Sequence, residues 1–165
     1  MTASRRMTAG EWTVVGATIA LAVASLLTWY TLPGNVVLDA GIHRTFNGWS
    51  VGFAPTTLLP LVFGVAIAVP TALQRVADVD IPERIGGISC TQLRLVLAAA
   101  ALVLSVAEVA TQRRYGPASL GRGPGLWLTV VASIALLVGV VLDHHGSFSV
   151  GSRDSAEPNP AENEG

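Results

Sequence analysis

The chain has 165 residues, of which 51% are hydrophobic and 13% charged, and its formal net charge is −1 at pH 7. Its mean hydropathy of +0.56 is above that of ordinary soluble domains, because too few polar side chains remain to cover a water-soluble globule. Composition and charge therefore exclude a soluble domain and a basic nucleic-acid-binding surface, and we expect a membrane protein with no nucleic-acid partner.

Four apolar stretches occupy most of the chain. A bilayer core of about 30 Å needs about 20 helical residues at 1.5 Å each, which predicts transmembrane helices at residues 13–31, 52–73, 93–111 and 123–142. The third stretch is the weakest, since a full crossing must include Glu108. The predicted fold is all-α, with the four helices in an up-down bundle.

The predicted domain organisation follows from the apolar stretches. Residues 1–12 form a cytoplasmic N-terminus, residues 13–143 form the transmembrane domain, and residues 144–165 form a disordered cytoplasmic tail. The tail is rich in Gly, Ser, Pro, Asn and acidic residues, so it buries too little apolar surface to fold alone.

Arginine positions predict the orientation. With four spans, both termini share a side, and that side carries most of the arginines, namely Arg5, Arg6, Arg75, Arg84, Arg94 and Arg153. The positive-inside rule then places both termini in the cytoplasm and the protein in the inner membrane. Arg113 and Arg114, which fall on the outer side, oppose this orientation.

The first span has a competing interpretation as a cleaved export signal. Residues Ser4-Arg5-Arg6 resemble the start of a twin-arginine signal, but the stretch ends without a small-x-small cleavage site. We therefore expect a retained helix, with Trp29 and Tyr30 as interfacial aromatic residues at its outer end.

The outer segment 35–53 is predicted to form a short amphipathic helix at the membrane interface. Its apolar residues recur three or four positions apart: Leu38, Ile42, Phe46, Trp49 and Phe53. Gly41 and Gly48 disfavour a helix, so a partly ordered lid is the alternative.

Helix packing and bending are predicted at a few positions. Pro60 removes a backbone donor and should bend the second span, either opening a polar cavity or shaping the packing. Gly64 permits a close helix contact. Ser89 and Gln92 match a capping box that begins the third helix.

Glu108 is the candidate ion or proton site, because charged groups at membrane depth are costly and often functional. His43 is predicted on the same side and could pair with it, but two groups are too few for a zinc site. The alternative is that Glu108, one turn before Arg113, reaches the outer interface and pairs with arginine. We expect no catalytic residues, no metal site and no cofactor.

Three short segments carry a resemblance: Leu27-Thr28-Trp29-Tyr30, Asn47-Gly48-Trp49 and Gly123-Pro124-Gly125-Leu126-Trp127-Leu128. In these positions the chain resembles small four-helix membrane proteins common in actinobacteria, whose members have no assigned activity. The resemblance implies the four-helix topology and neither catalytic residues nor a substrate.

Two function classes follow. The first is a non-enzymatic accessory or scaffold protein that packs against a membrane-protein partner or a second copy of itself within the lipid bilayer. The second is a subunit of a small homo-oligomeric transporter or channel that uses Glu108 and the bend at Pro60.

Overall fold

The computed structural model describes residues 7–32, 45–50, 54–76, 84–85, 87–115 and 118–150. Within them the chain is mostly helical. The helices are α1 (Ala9–Leu26), α2 (Ala54–Thr57), α3 (Leu59–Val76), α4 (Cys90–Ala110) and α5 (Pro124–Val150). In the part of the chain that the structure describes, three helical segments are long and apolar enough to cross a membrane, namely α1, α4 and the Pro124–His145 part of α5, while α3 contributes a shorter apolar segment, Leu59–Gln74.

The four long helices pack around one core. Helices α1 and α4 each contact both α3 and α5. The hydrogen bond from Tyr30 to Glu108 joins the C-terminal ends of α1 and α4, and the hydrogen bond from Thr8 to Asp143 joins the start of α1 to the late part of α5. Helices α1 and α4 therefore run in the direction opposite to α5.

Small and hydroxyl-bearing side chains share the interior with a few large apolar ones, namely Leu21, Ile67, Leu126 and Leu136, whereas many other large aliphatic side chains point outward. Ala24, Ala98 and Ala101 are fully buried, and Ser105 and Ser133 hydrogen-bond to each other at 2.9 Å. Large residues on every long helix are exposed, among them Ile19, Val23, Val62, Val65, Val96, Val103, Val131 and Ile134. So many exposed large apolar side chains are unusual for a water-soluble bundle, which buries most of them in its core.

The described residues between the helices include seven short strands: β1 (Thr28–Thr31), β2 (Thr45–Asn47), β3 (Arg84–Ile85), β4 (Ile88–Ser89), β5 (Arg114–Tyr115), β6 (Ala118–Ser119) and β7 (Gly121–Arg122). Strands β2, β1 and β7 form an antiparallel sheet with β1 in the centre. The pairs β3–β4 and β5–β6 are hairpins. The chain is thus mostly helical, as predicted, and short strands that were not predicted lie at the connections.

The first predicted span is too long. Helix α1 ends at Leu26, and Thr28–Thr31, predicted to be helical, form the central strand β1. The strand is favoured because both of its edges pair, with β2 on one side and β7 on the other. Its β-branched and aromatic side chains suit a strand better than a helix terminus.

The predicted amphipathic helix at 35–53 is wrong where the structure describes it. Thr45–Asn47 pair with β1 as strand β2, and a turn follows, closed by the hydrogen bond from Ser50 N to Asn47 O at 3.1 Å. The edge of β1 satisfies backbone groups that an isolated helical turn would leave unpaired. Residues 33–44, which include His43, lie outside the described residues.

The predicted tail begins too early. Helix α5 continues past residue 144 to Val150, because each further residue adds one hydrogen bond to an existing helix at little entropic cost. Residues 151–165 lie outside the described part of the chain.

The second span is interrupted next to its proline. The chain bends at Leu58, two residues before Pro60, and α3 restarts with the hydrogen bond from Val62 N to Leu58 O at 3.0 Å. Pro60 itself is buried. The position of the break agrees with the loss of the proline backbone donor.

Gly64 lies in a close contact between α3 and α1. Its carbonyl accepts a hydrogen bond from Thr18 Oγ1 at 3.2 Å, and a Cβ added there would lie 3.0 Å from Leu21 Cδ1.

The predicted capping box at the start of α4 is confirmed, since Ser89 Oγ accepts from Gln92 N and Gln92 Oε1 accepts from Ser89 N.

Candidate functional site

Glu108, in the last turn of α4, is the most connected acidic residue at the sheet end of the bundle. Only 7% of its surface is exposed. Its Oε2 accepts hydrogen bonds from Tyr30 Oη at 3.0 Å and from Arg113 Nε at 3.3 Å, and its Oε1 accepts from Arg113 Nη2. Arg113 Nη2 also donates to Thr56 Oγ1 at 3.1 Å. The cluster thus joins β1, α2, α4 and the chain after α4.

The two donors outside the helix are held in the forms that suit Glu108. Burial and the neighbouring Glu108 carboxylate together raise the pKa of Tyr30 to about 12. The hydrogen bond to Glu108 also raises the pKa of Arg113. At neutral pH, Tyr30 is therefore a protonated donor and Arg113 a cation. This arrangement is that of a structural ion pair, with three hydrogen bonds fixing one carboxylate.

Sequence reasoning placed Glu108 next to Arg113 but missed two features of the cluster. Tyr30, predicted to lie at the lipid interface, is only 1% exposed and faces the carboxylate. The Glu108 side chain is buried, whereas the predicted pair was an exposed one. Both differences follow from β1, which turns back over the bundle and covers the end of α4.

Trp29 is the second buried aromatic residue of β1. Its Nε1 donates to Ala24 O at 2.7 Å, and its backbone carbonyl accepts from Gly123 N at 2.6 Å. The prediction that Trp29 lies in the lipid interface is therefore wrong. Its indole group lies inside the cap that the sheet forms on this end of the bundle.

Two glycines before and within α5 allow this cap to close. A Cβ on Gly123 would lie 2.3 Å from Thr28 O, and a Cβ on Gly125 would lie 2.7 Å from Trp29 Cδ1. Only a residue without a side chain fits at such distances. The three segments on which the resemblance rests therefore meet at one end of the molecule, around Trp29.

Gly48 and Trp49 complete the cap from β2. Gly48 N donates to Ser25 O at 3.0 Å, and Trp49 Nε1 donates to Ser25 Oγ at 3.1 Å. Trp49 is still more than half exposed. The same is true of Trp127, at the same end of the bundle, and of Trp12, at the opposite end. These three tryptophans, rather than Trp29, have the exposure expected of interfacial residues. Each of the three lies at an end of an apolar stretch, and that position in the sequence could have identified them as interfacial residues.

An open cavity of about 360 Å³ lies beside Glu108 at the sheet end. Its floor is formed by the buried Tyr30 and Leu120, and its rim by polar and aromatic side chains. The rim and walls comprise Thr111, Gln112, Arg113, Gly121, Arg122 and Trp127.

A second polar cluster lies at the opposite end and was not predicted. Arg94 Nη1 is 3.7 Å from Asp143 Oδ2, and Arg94 Nη2 donates to Gln74 Oε1 at 3.3 Å. Glu11 is buried there and closes a capping box with Thr8, whose hydroxyl also donates to Asp143. The spacing of Thr8 and Glu11 could have revealed the box.

The cavity at this second cluster is small, about 80 Å³, with Glu11, Thr71, Arg94, Asp143 and His144 among its lining residues. In the part of the chain that the structure describes, no group of three or more His, Cys, Asp or Glu residues is arranged to hold a metal ion.

No protein family, no curated protein and no solved structure matches this chain.

Proposed function

We propose that the chain is a multi-pass protein of the inner membrane with four transmembrane helices and cytoplasmic termini. The supporting observation is the belt of large aliphatic side chains that are exposed on every long helix, since lipid tails solvate such a belt and water does not. The apolar part of α3, Leu59–Gln74, is shorter than a typical span, and local thinning of the bilayer accommodates such a segment.

Within this membrane we propose a non-enzymatic accessory or scaffold role, in which the bundle packs against a membrane-protein partner or a second copy. The bundle is tied at one end by the hydrogen bond between Tyr30 and Glu108 and at the other by the Arg94–Asp143 ion pair. In its interior, Ser105 and Ser133 form a hydrogen bond between two helices. These contacts favour a rigid body over a carrier that must open.

The alternative of a homo-oligomeric transporter or channel uses Glu108 as an ion or proton site. Three hydrogen bonds from Tyr30 and Arg113 count against it, because a carboxylate that exchanges protons or cations must be released from such donors. A transport role would thus require the cluster to open in each cycle.

Purification from native membranes in a mild detergent separates the two functions. The scaffold proposal expects another membrane protein or a second copy of the chain to co-purify at constant stoichiometry, and Glu108→Gln at equal abundance to leave the cellular phenotype of the wild type unchanged. A homo-oligomer whose ion flux is lost in Glu108→Gln but kept in Arg114→Gln would overturn the scaffold proposal.

A further inference from the structure

The cavity at the sheet end has a surplus of positive charge. Arg113 and Arg122 both line it, and Glu108 balances Arg113. The Arg122 guanidinium, which is exposed, forms no ion pair with any described residue. Thr111 and Gln112 add neutral hydrogen-bonding groups on the same rim. One uncompensated guanidinium beside uncharged donors matches a ligand with a single negative charge.

An apolar surface continues from this cavity along α5. Trp127 lines the cavity and is 54% exposed. The exposed apolar residues that follow it on α5 lie three or four positions apart, on one side of the helix: Val131, Ile134 and Val138. From Trp127 to Val138 the helix rises about 16 Å at 1.5 Å per residue, which is about half the thickness of the hydrocarbon core.

We propose that this cavity binds the phosphodiester of an anionic phospholipid, with Arg122 contacting the phosphate and an acyl chain lying along Trp127 and the α5 surface below it. The inference rests on the proposed membrane location.

The apolar continuation favours a lipid over a soluble phosphate compound. A free phosphate would need only the polar rim, and the exposed indole of Trp127 would contribute nothing to its binding. An indole at the boundary between head group and acyl chain, next to an arginine, is the usual arrangement at a membrane interface.

The test uses the full chain purified in a neutral detergent. Its thermal unfolding midpoint is followed while dioctanoyl phosphatidylglycerol is added, with dioctanoyl phosphatidylcholine and the deacylated head group glycerophosphoglycerol as comparison ligands. We expect a saturable rise with phosphatidylglycerol, a weaker rise with phosphatidylcholine, and none with glycerophosphoglycerol at the same concentration.

Matched variants assign the site. Arg122→Gln should raise the apparent Kd for phosphatidylglycerol about tenfold, the loss expected for one charge-assisted hydrogen bond. Arg114→Gln removes the same charge from the same end of the molecule, but Arg114 does not line the cavity, so its Kd should stay within about twofold of wild type. Trp127→Ala should weaken phosphatidylglycerol binding independently of Arg122.

The outcomes are distinguishable from failure of the membrane proposal. If the wild-type chain is washed from membranes by alkaline carbonate, the membrane location is wrong. If it is retained but Arg122→Gln and Arg114→Gln bind phosphatidylglycerol alike, the lipid site is refuted and the membrane location stands. An equal response to glycerophosphoglycerol would replace the lipid by a soluble phosphodiester, and that result also refutes the proposal.

Discussion

Replacing Glu108 by glutamine tests whether the cluster at the sheet end is a structural ion pair. Glutamine keeps the shape of the side chain and one oxygen acceptor, but it removes the charge that Arg113 neutralises. Its amide NH₂ group would also face a guanidinium donor. Unfolding free energy should therefore fall, while the helices should remain formed.

The magnitude follows from the burial of the two partners. Removing one member of a fully buried pair costs about 3–5 kcal/mol, and removing an exposed pair costs about 0–1 kcal/mol. Glu108 is 7% exposed, but the Arg113 side chain is 28% exposed, so water recovers part of the lost interaction. We therefore expect Glu108→Gln to destabilise the protein by about 2 kcal/mol.

The assay is reversible unfolding in mixed micelles, followed by circular dichroism. Arg114→Gln is the control, since Arg114 is exposed at the same end, and it should change the unfolding free energy by less than about 0.5 kcal/mol. A double-mutant cycle between Glu108→Ala and Tyr30→Phe should give a coupling of about 1 kcal/mol for their shared hydrogen bond, because alanine, unlike glutamine, leaves Tyr30 no acceptor at this position. Equal stability of Glu108→Gln and wild type would refute the structural role.

Three other predictions concern buried contacts. The absorbance titration of wild type minus that of Tyr30→Phe should show a phenol that ionises near pH 12, and a step near pH 10 in that difference would contradict this. Because the folded pKa of Tyr30 is raised, the stability that Tyr30 contributes should be complete below about pH 10 and lost between pH 10 and 12. Gly125→Ala should destabilise the fold strongly, because its methyl group would lie 2.7 Å from an indole carbon of Trp29. Gly16→Ala, whose methyl group would meet no neighbouring segment within 4 Å, should be neutral or stabilising by up to about 1 kcal/mol. Equal thermal unfolding midpoints for the two variants would contradict the packing. In the same assay, Ser105→Ala should destabilise more than Ser133→Ala. Replacing Ser105 removes the acceptor of the buried Ser133 hydroxyl, whereas in Ser133→Ala the Ser105 hydroxyl still donates to Ala101 O at 2.7 Å; equal losses would argue against this arrangement.

Helices were predictable from the sequence because membrane helices depend on composition and length. The uncharged stretches identified α1, α4 and α5, and the proline identified the break before α3. The Ser89 capping box was found because its two side chains lie three residues apart, so both partners can be read locally.

The sheet and its contacts could not be predicted in the same way. The strand at Thr28–Thr31 depends on partners that lie more than a dozen residues away, at β2 and β7. Trp29 and Tyr30 have the local pattern of interfacial residues, and only those distant partners bury them. The glycines 123 and 125 were visible in the sequence, but their reason is a close approach to another segment.

The central claim, four transmembrane helices with cytoplasmic termini, is tested most directly by cysteine accessibility in intact cells. Single cysteines replace four exposed residues in a Cys90→Ser background: Thr45, Ile88, Thr111 and His145. A membrane-impermeant thiol reagent should label Thr45→Cys and Thr111→Cys and leave Ile88→Cys and His145→Cys unlabelled until the cells are opened. Labelling of Ile88→Cys and His145→Cys alone would reverse the orientation, and any pattern in which Thr45→Cys and Thr111→Cys differ would contradict the four-helix topology.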